Sequence, residues 1–287
     1  MPTKITSSSN KITSLPAIAG ALLACGLSAA PAQAIVGSRT AVSPNGTDSG
    51  NCAIATPCKT FAFAITQTAA GGEIDMLDPA GYGPVTITKA VSILNGGVGV
   101  GGIQVSSGNG ITINAGPNDS VRLVGLTIDG LGTGTNGIQF NTGGNLDIEN
   151  CVIRDFTGTG LNIAPSTSSI FTVSNTIAVN NFIGINVAPS GSAAGVLRQV
   201  TTNANNNGIL ASGTLTITVN DSLSFANNFG IESNSATTTV YLSRSTVTGN
   251  GTGVFNNGGT IFTFVNNVIS ANTTANVSGT LTPVKAQ

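Results

Sequence analysis

Hydrophobic residues recur along this 287-residue chain in short runs, whose pattern repeats every 22 to 24 residues between Val121 and Gly279. Within the runs, β-branched, Leu and Phe residues alternate with polar ones, which is the periodicity of strands rather than of helices. An Asn followed three residues later by a Gly marks four of the repeats: Asn181/Gly184, Asn205/Gly208, Asn227/Gly230 and Asn250/Gly253. A fifth copy, Asn272/Ala275, has Ala at the Gly position. A fixed period of this length indicates a solenoid.

Each repeat holds at least two short strands, because a second apolar run follows the Asn and its turn. A unit of roughly 23 residues made only of strands and turns fits one coil of a parallel β-helix, in which stacked coils pair strand on strand about 4.8 Å apart. Leucine-rich and ankyrin arrays contain longer helical runs, which this region lacks. We therefore predict an all-β protein in which residues 73–279 form a single parallel β-helix.

Alignment of the repeats places polar residues in two columns along the predicted axis. The first column holds Asn150, Asn175, Gln199, Asp221, Arg244 and Asn266, and the second holds Asn181, Asn205, Asn227, Asn250 and Asn272. Turns between strands often need a residue with φ > 0, which Gly accepts freely and Asn tolerates best among the others. Stacked amides can also hydrogen-bond along the axis. We interpret the asparagines of both columns as a structural ladder; a sugar-binding groove is the alternative.

The ends of such a solenoid need protection, because an exposed coil pairs with other chains. Residues 59–70 are the one segment after the N-terminal 34 residues with a helical pattern: Phe61, Ala64 and Ile65 share a face. We predict that this helix caps the N-terminal end and stops at Gly71-Gly72. Residues 280–287 form a tail without such a cap, so self-association through the C-terminal coil is a hypothesis.

Residues 1–34 have the features of a secretory signal. Lys4 and Lys11 precede a largely apolar stretch, and Ala32-Gln33-Ala34 is a small-x-small cleavage site. We predict cleavage after Ala34 and a secreted or periplasmic protein that starts at Ile35. Lipid attachment at Cys25 is the alternative, since residues 22–26 resemble a bacterial lipoprotein box.

The segment 35–72, between the signal and the β-helix, contains a pair of cysteines in a turn-rich stretch. Cys52 and Cys58 are six residues apart, and an exported protein can keep a disulfide. A metal site is the alternative, but further Cys or His ligands are missing nearby. Cys151 has no evident partner, so we expect it to be buried as a small hydrophobic residue.

Charge narrows the range of partners. The chain has 10 Lys and Arg, 11 Asp and Glu and no His, which gives a net charge of −1. Only 7% of its residues are charged. This composition lacks the basic field that nucleic acids require and the basic patch that anionic membranes attract. The apolar stretch before Ala34 is too short for a good membrane span. We predict no nucleic-acid partner, no membrane insertion and no cofactor.

The region before the repeats carries a recognisable series of segments: SPNGTD (43–48), PCKTFAFAI (57–65), GGEI (71–74), DPAGYGPVTI (78–87) and VSIL (91–94). In this order they resemble the N-terminal region of right-handed parallel β-helix repeat proteins of the pectin-lyase-like superfamily. The resemblance implies a right-handed β-helix. It implies little about activity, since that superfamily includes pectate lyases, polygalacturonases, adhesins and phage tailspikes, and the matching segments are features of the fold.

Two kinds of enzyme site known in that superfamily can be compared with the residues. Polygalacturonase-like sites need several Asp and a Gly-His-Gly motif, and this chain has neither His nor adjacent Asp residues. Pectate-lyase-like sites hold Ca²⁺ with clustered carboxylates and use Arg or Lys to take a proton. The carboxylates here are scattered. The best local group is Asp129, Arg154 and Asp155, where the first two occupy equivalent places in adjacent coils.

This group supports two interpretations. It could present a carboxylate and an arginine to a uronate, or it could be a stacked surface ion pair of the kind that the repeat also generates at Arg122 and Asp147, worth about 0–1 kcal/mol. We therefore expect an exported, non-catalytic β-helix that binds or organises surface polysaccharide or acts as an adhesin-like module. The alternative is a polysaccharide lyase that acts on an acidic glycan, with Ca²⁺ as its cofactor.

Overall fold

The computed structural model describes residues 1–4 and 37–285. The chain divides into two units, residues 1–33 and 34–287, and every element below belongs to the second unit. The predicted signal segment, the cleavage site after Ala34 and the possible lipidation site at Cys25 lie outside the described residues.

Residues 37–285 form one short α-helix, α1 (Phe61–Gln67), and 28 strands in three parallel sheets. Sheet A has eleven strands in the spatial order β1 (Gly37–Val42), β2 (Thr68–Met76), β4 (Val91–Asn95), β7 (Ser120–Val124), β10 (Asn145–Glu149), β13 (Ser168–Ser174), β16 (Ser192–Arg198), β19 (Leu215–Asn220), β22 (Thr238–Ser243), β25 (Thr260–Phe264) and β28 (Thr282–Val284).

The other two sheets are made of shorter strands. Sheet B has eight, in the order β26 (Val268–Ser270), β23 (Thr246–Thr248), β20 (Leu223–Phe225), β17 (Thr201–Asn203), β14 (Ile177–Val179), β11 (Val152–Arg154), β8 (Thr127–Asp129) and β5 (Gly102–Gln104). Sheet C has nine, in the order β27 (Ala275–Ser278), β24 (Thr252–Asn256), β21 (Phe229–Ser233), β18 (Asn207–Ala211), β15 (Ile183–Val187), β12 (Thr159–Ile163), β9 (Asn136–Thr142), β6 (Asn109–Asn114) and β3 (Val85–Ile87).

From β4 onward the chain visits sheets A, B and C in turn, and each return to sheet A begins the next coil. Eight complete coils result, and each strand pairs in parallel with its equivalents in the neighbouring coils. Asp147 of β10, for example, pairs with Arg122 on one side and Thr172 on the other. The all-β parallel β-helix predicted from the repeat is therefore confirmed.

The core fills the space between the three sheets along the whole axis. Inward-facing residues stack in register from coil to coil, and on sheet A one such row is Leu123, Ile148, Val173, Leu197, Val219 and Leu242. These side chains are fully buried. Each contributes about 1.5–3 kcal/mol by leaving water, and the row explains the apolar alternation seen in the repeats.

The capping helix is shorter than the predicted 59–70. Thr60 caps it by accepting a hydrogen bond from the Phe63 N–H at 3.2 Å, and Phe61, Ala64 and Ile65 are buried as expected. It ends at Gln67 rather than at Gly71-Gly72, which lie within β2. The reason is the pairing of β2 with β1, which draws the chain into a strand from Thr68 onward. Sheet A therefore already includes residues that precede residue 73, the predicted start of the β-helix.

The glycine column explains the repeat of Asn-x-x-Gly. None of its members has a left-handed φ, so conformational freedom is not what they supply; they are Gly137, Gly160, Gly184, Gly208, Gly230 and Gly253. A Cβ at each would lie 2.4–2.8 Å from a carbonyl oxygen of the next coil. In β27, the last described strand of sheet C, the register places Asn276 and not Ala275 opposite Gly253, so the predicted fifth copy, Asn272/Ala275, is wrong by one residue. No further described strand pairs beyond β27, which is why a side chain is accepted there. The glycines are needed because successive coils approach closely there.

The two polar columns differ in structure. In the first, left-handed φ values of 45–56° occur at Asn150, Asn175, Gln199, Asp221 and Arg244, as the turn interpretation expects; Asn266 does not share them. In the second column the prediction of φ > 0 is wrong. The residue before each ladder Asn adopts it instead: Asn180, Ala204, Ala226, Gly249 and Ala271.

The asparagines of the second column lie inside the turns and hydrogen-bond along the axis. The Asn205 amide donates to Asn227 Oδ1 at 3.0 Å, and the Asn227 amide donates to Asn250 Oδ1 at 3.0 Å. The row runs from Asn181 to Asn272 and continues to Asn276. From Asn205 to Asn272, each side chain also accepts from the backbone N–H of the preceding Asn in the row. Their position in the turns favours the structural ladder over a sugar-binding groove.

The Cys52–Cys58 disulfide is present, with the two Cα atoms 4.9 Å apart. Cys151 is free and buried, and burial raises the pKa of its thiol to about 12. Among the described residues, no helix is long and apolar enough to span a membrane. β26, β27 and β28 end the three sheets on the same side of the stack, and self-association through this coil stays a prediction.

We expect the double variant Cys52→Ala/Cys58→Ala to lose about 2 kcal/mol of unfolding free energy, because the disulfide closes a short loop beside the capping helix. Urea unfolding of the oxidised protein measures this loss. A reducing agent should lower the stability of the wild type by a similar amount and leave the double variant unchanged. Equal sensitivity of both proteins to the reductant would contradict the expectation.

Candidate functional site

Asp129 and Arg154 are the last residues of two neighbouring strands of sheet B, β8 and β11. They pair directly across the sheet, as the repeat predicts. Asp155 follows with a left-handed φ of 62°, which starts the turn toward sheet C. The structure thus brings all three predicted site residues to one place, the edge between sheet B and the following turn.

The geometry is that of a cation held by a buried carboxylate. Arg154 donates from Nη2 and Nε to Asp129 Oδ2 at 2.8 and 3.0 Å, and its Nε lies 3.6 Å from Asp155 Oδ2. Asp129 Oδ1 accepts from the Leu131 N–H at 2.9 Å. The Asp129 side chain is only 8% exposed, whereas that of Arg154 is 47% exposed. Asp129 therefore fixes the orientation of the guanidinium, and the solvent-exposed side of the guanidinium is free to bind a ligand.

On sheet A, Arg39 (61% exposed) and Asp75 (14% exposed) form a pair with a similar asymmetry, but neither residue lines the cleft described below. The ion pairs of Arg122 and Arg244 lack this asymmetry. On sheet A, Arg122 contacts Asp147 at 3.1 Å and Glu149 at 2.9 Å, and all three side chains are substantially exposed. Pairs of that type contribute about 0–1 kcal/mol. The surface-pair interpretation suits Arg122 better than Asp129, whose side chain is only 8% exposed.

A cleft of about 180 Å³ lies against this pair. Its walls are two loops that connect the first coils, residues 77–84 and 96–101, and its floor carries Gln104, Thr127, Asp129 and Arg154. Gln104 pairs with Asp129 one coil earlier, so an amide, a carboxylate and a guanidinium follow one another along the axis. Such a floor can donate hydrogen bonds to a carboxylate and to sugar hydroxyls.

The donor set does not fit a resident Ca²⁺. Calcium needs six to eight oxygen ligands, and Asp129 and Asp155 are both turned toward the guanidinium of Arg154. In the described parts of the chain, no group of three or more His, Cys, Asp or Glu residues could hold a metal ion. We derive no step through a metal at this cleft.

Two other carboxylates lie together on sheet A. Glu73 and Asp75 of β2 both contact Arg39, and the pKa of Glu73 is raised by its burial and by the neighbouring Asp75.

Further carboxylates are more dispersed. Asp119 accepts from the Gly116 N–H in a turn, and the hydrogen bond from Arg244 lowers the pKa of Asp221. Glu232 on sheet C is buried and accepts a hydrogen bond from the Asn207 amide, and its burial raises its pKa. A glycosidase needs two carboxyl groups that flank one bond, and none of these carboxylates lines the Arg154 cleft.

Sequence reasoning missed an apolar stretch of sheet B next to the cleft. The column that contains Arg154 continues through Val179, Asn203 and Phe225. Phe225 is exposed, as is Leu223 on the same strand. The sequence Leu223-Ser224-Phe225 contains the relevant alternation, since two exposed apolar residues flank a buried Ser. Without the register between coils, the sequence does not show which of these side chains point outward.

The comparisons with known proteins identify the backbone fold. No family model and no curated protein matches the sequence. Among solved structures, the crystal structure of pectate lyase Pel9A superposes with a TM-score of 0.61 over 84% of this chain and 78% of that chain. The chain has the parallel β-helix fold of that lyase. A rhamnogalacturonan lyase aligns with a TM-score of 0.46 over 82% of this chain and 75% of the other. Sequence identity is 15% and 13%, so the likeness is one of fold.

Proposed function

We propose that the protein is exported and acts on an acidic polysaccharide, which it holds across the cleft on sheet B. The observation that carries this proposal is the half-exposed guanidinium of Arg154, fixed by the buried carboxylate of Asp129. A pre-oriented arginine binds a carboxylate through charge-assisted hydrogen bonds. The Cys52–Cys58 disulfide supports an oxidising compartment, either secreted or periplasmic.

The glycan would run along the axis of the β-helix. Successive positions of the column are one strand spacing apart, about 4.8 Å, which is close to the length of one sugar in an extended chain. A uronate on Arg154 would place the next sugars over Val179, Asn203 and Phe225. The apolar side chains suit the C–H faces of the rings, and the Asn suits their hydroxyls.

Cleavage by β-elimination is the mode of action that the likeness to a pectate lyase supports, and we place it ahead of binding alone. A guanidinium paired with the uronate carboxylate would stabilise the negative charge that develops when the adjacent C5–H bond breaks. Water or hydroxide from the solvent takes the C5 proton, a C4–C5 double bond forms, the C4–O bond breaks, and the leaving oxygen takes a proton from water. Among the described residues that line this cleft, Arg154 is the one cation, and its proposed role is to bind and polarise the substrate.

The lyase proposal is tested with the exported protein and three acidic glycans, polygalacturonate, alginate and hyaluronan, in buffer that contains Ca²⁺. We expect a rise in ultraviolet absorbance from unsaturated products with at least one of them. Arg154→Gln should lower this rate by about 10- to 100-fold, because a charge-assisted hydrogen bond is worth about 1.5–3 kcal/mol. Arg122→Gln, in an exposed ion pair on sheet A, is the matched control and should retain the rate.

Binding without cleavage is the second candidate, and the dispersed carboxylates favour it. In that case no absorbance develops, but an acidic glycan in a gel retards the protein and Arg154→Gln abolishes the retardation. A lack of both products and retardation with every acidic glycan would contradict the proposed function. Equal behaviour of the Arg154 and Arg122 variants would contradict the assigned site.

A further inference from the structure

A second pocket lies at the N-terminal end of the β-helix, on sheet C rather than sheet B. It is bounded by α1 and by the first strands of that sheet, β3 and β6, and has a volume of about 420 Å³. This volume falls in the range of small-molecule sites. The pocket and the Arg154 cleft share no lining residue.

Lys89 is the charged residue of this pocket. Its Nζ donates to the Thr68 carbonyl oxygen at 2.6 Å, and burial lowers its pKa. No carboxylate oxygen among residues 37–285 forms an ion pair with it, and none of the residues that line the pocket is acidic. Its other two N–H groups form no hydrogen bond with the described residues, so a partly desolvated cation faces a cavity without a counter-charge.

The remaining walls are polar on one side and apolar on the other. Hydroxyl groups and one amide come from Thr66, Thr86, Thr88, Thr112 and Asn109. Ala62, Ile65, Pro84 and Val85 supply the apolar surface. A ligand that matches this pocket has one negative charge, several hydroxyls and an apolar face.

We propose that this pocket binds a small hydroxylated monocarboxylate of the sugar-acid type, with its carboxylate on the Lys89 ammonium. A single cation favours one negative charge over a multiply charged anion. A neutral sugar would leave the half-buried ammonium uncompensated. The proposal does not depend on the function proposed for the Arg154 cleft.

Lys89 also has a structural role, because its bond to the Thr68 carbonyl caps the end of α1. That role uses one of the three N–H groups of the Lys89 ammonium and does not explain the pocket beside it. The test must therefore separate loss of binding from loss of the cap. Thr112→Val does so, since it removes a hydroxyl from the pocket and leaves the Lys89–Thr68 bond in place.

The experiment follows the side-chain resonances of ¹⁵N-labelled lysine, of which the chain has five, in titrations with glucuronate, with glucose and with acetate. We expect glucuronate to shift the Lys89 signal saturably and to raise the pKa of Lys89, while glucose leaves both unchanged and acetate binds at least about tenfold more weakly. Calorimetry should show at least a tenfold loss of glucuronate affinity in Lys89→Gln and a severalfold loss in Thr112→Val.

Three results would overturn the proposal: no movement of the Lys89 signal with glucuronate, acetate affinity equal to that of glucuronate, or unchanged affinity in both Lys89→Gln and Thr112→Val. Arg122→Gln, on sheet A and not among the residues that line this pocket, should leave glucuronate affinity unaltered. If calorimetry detects glucuronate binding that Lys89→Gln does not weaken, the sugar acid binds elsewhere, and the assignment to this pocket is wrong. A failed glycan assay with intact glucuronate binding would count against the Arg154 cleft alone.

Discussion

Replacing Gly208 by Ala is expected to lower the free energy of unfolding by about 2–4 kcal/mol, which is at or above the usual range for overpacking a well-packed interior. The new Cβ would lie 2.5 Å from the Gly230 carbonyl oxygen and 2.6 and 2.7 Å from the hydroxyl oxygens of Thr202 and Ser224. Two of these neighbours belong to the next coil, so the coils must move apart. Urea unfolding followed by circular dichroism measures the loss.

Gly96→Ala is the control for Gly208→Ala. At Gly96 no atom lies within 4 Å of the added Cβ, and the residue has no left-handed φ. The free energy of unfolding should therefore change by no more than about 0.5 kcal/mol in Gly96→Ala. A Gly208→Ala protein as stable as the Gly96→Ala protein would show that the coils do not stack this closely.

The second large effect is expected at Asn227, which is 4% exposed and lies in the middle of the ladder. Its Oδ1 accepts from the backbone N–H and the side-chain amide of Asn205, both at 3.0 Å, and its amide donates to Asn250 Oδ1. Asn227→Ala leaves several buried groups without partners, at about 1–3 kcal/mol for each group that stays unsatisfied. We expect a total loss of about 3–5 kcal/mol in urea unfolding.

Asn228 offers a matched control one residue away. It is exposed, and its amide makes a single side-chain hydrogen bond to Asn206 Oδ1 at 3.0 Å. Asn228→Ala should therefore cost less than about 1 kcal/mol. Hydrogen exchange gives an independent reading, because the amide proton of Asn205 should lose its protection in Asn227→Ala and keep it in Asn228→Ala. Equal costs for the two variants would mean that the ladder does not hold the coils together.

The repeat was sufficient to predict the fold and the ladder that joins Asn227 to Asn250, but not the φ of Asn227 or the reason for Gly230. Spacing alone suggested a left-handed turn residue at Asn227. The role of Gly230 depends on its close approach to the Gly253 carbonyl, more than twenty positions away. That approach becomes visible only when the register between coils is known. The left-handed residue of the turn is Ala226, which propensity does not single out.

The candidate site, too, could be predicted from the sequence only in part. Equivalent positions in adjacent coils must stack, so the pairing of Asp129 with Arg154 followed from the period. The burial of Asp129 did not, because the cleft walls come from loops 77–84 and 96–101, before the regular repeats begin. Those loops have no period from which to infer their position. The same holds for the Lys89 pocket, whose α1 wall ends earlier than its helical pattern suggested.

The most direct test of the proposed function is a calorimetric titration of the protein with an oligogalacturonate of at least four sugars and with its neutral galactose counterpart. The fixed guanidinium of Arg154 predicts saturable binding of the acidic oligomer alone, and a loss of affinity of at least tenfold in Arg154→Gln with none in Arg122→Gln. If the acidic and neutral oligomers bind equally, or if both variants bind the acidic oligomer as the wild type does, the Arg154 cleft is not the site that recognises an acidic glycan.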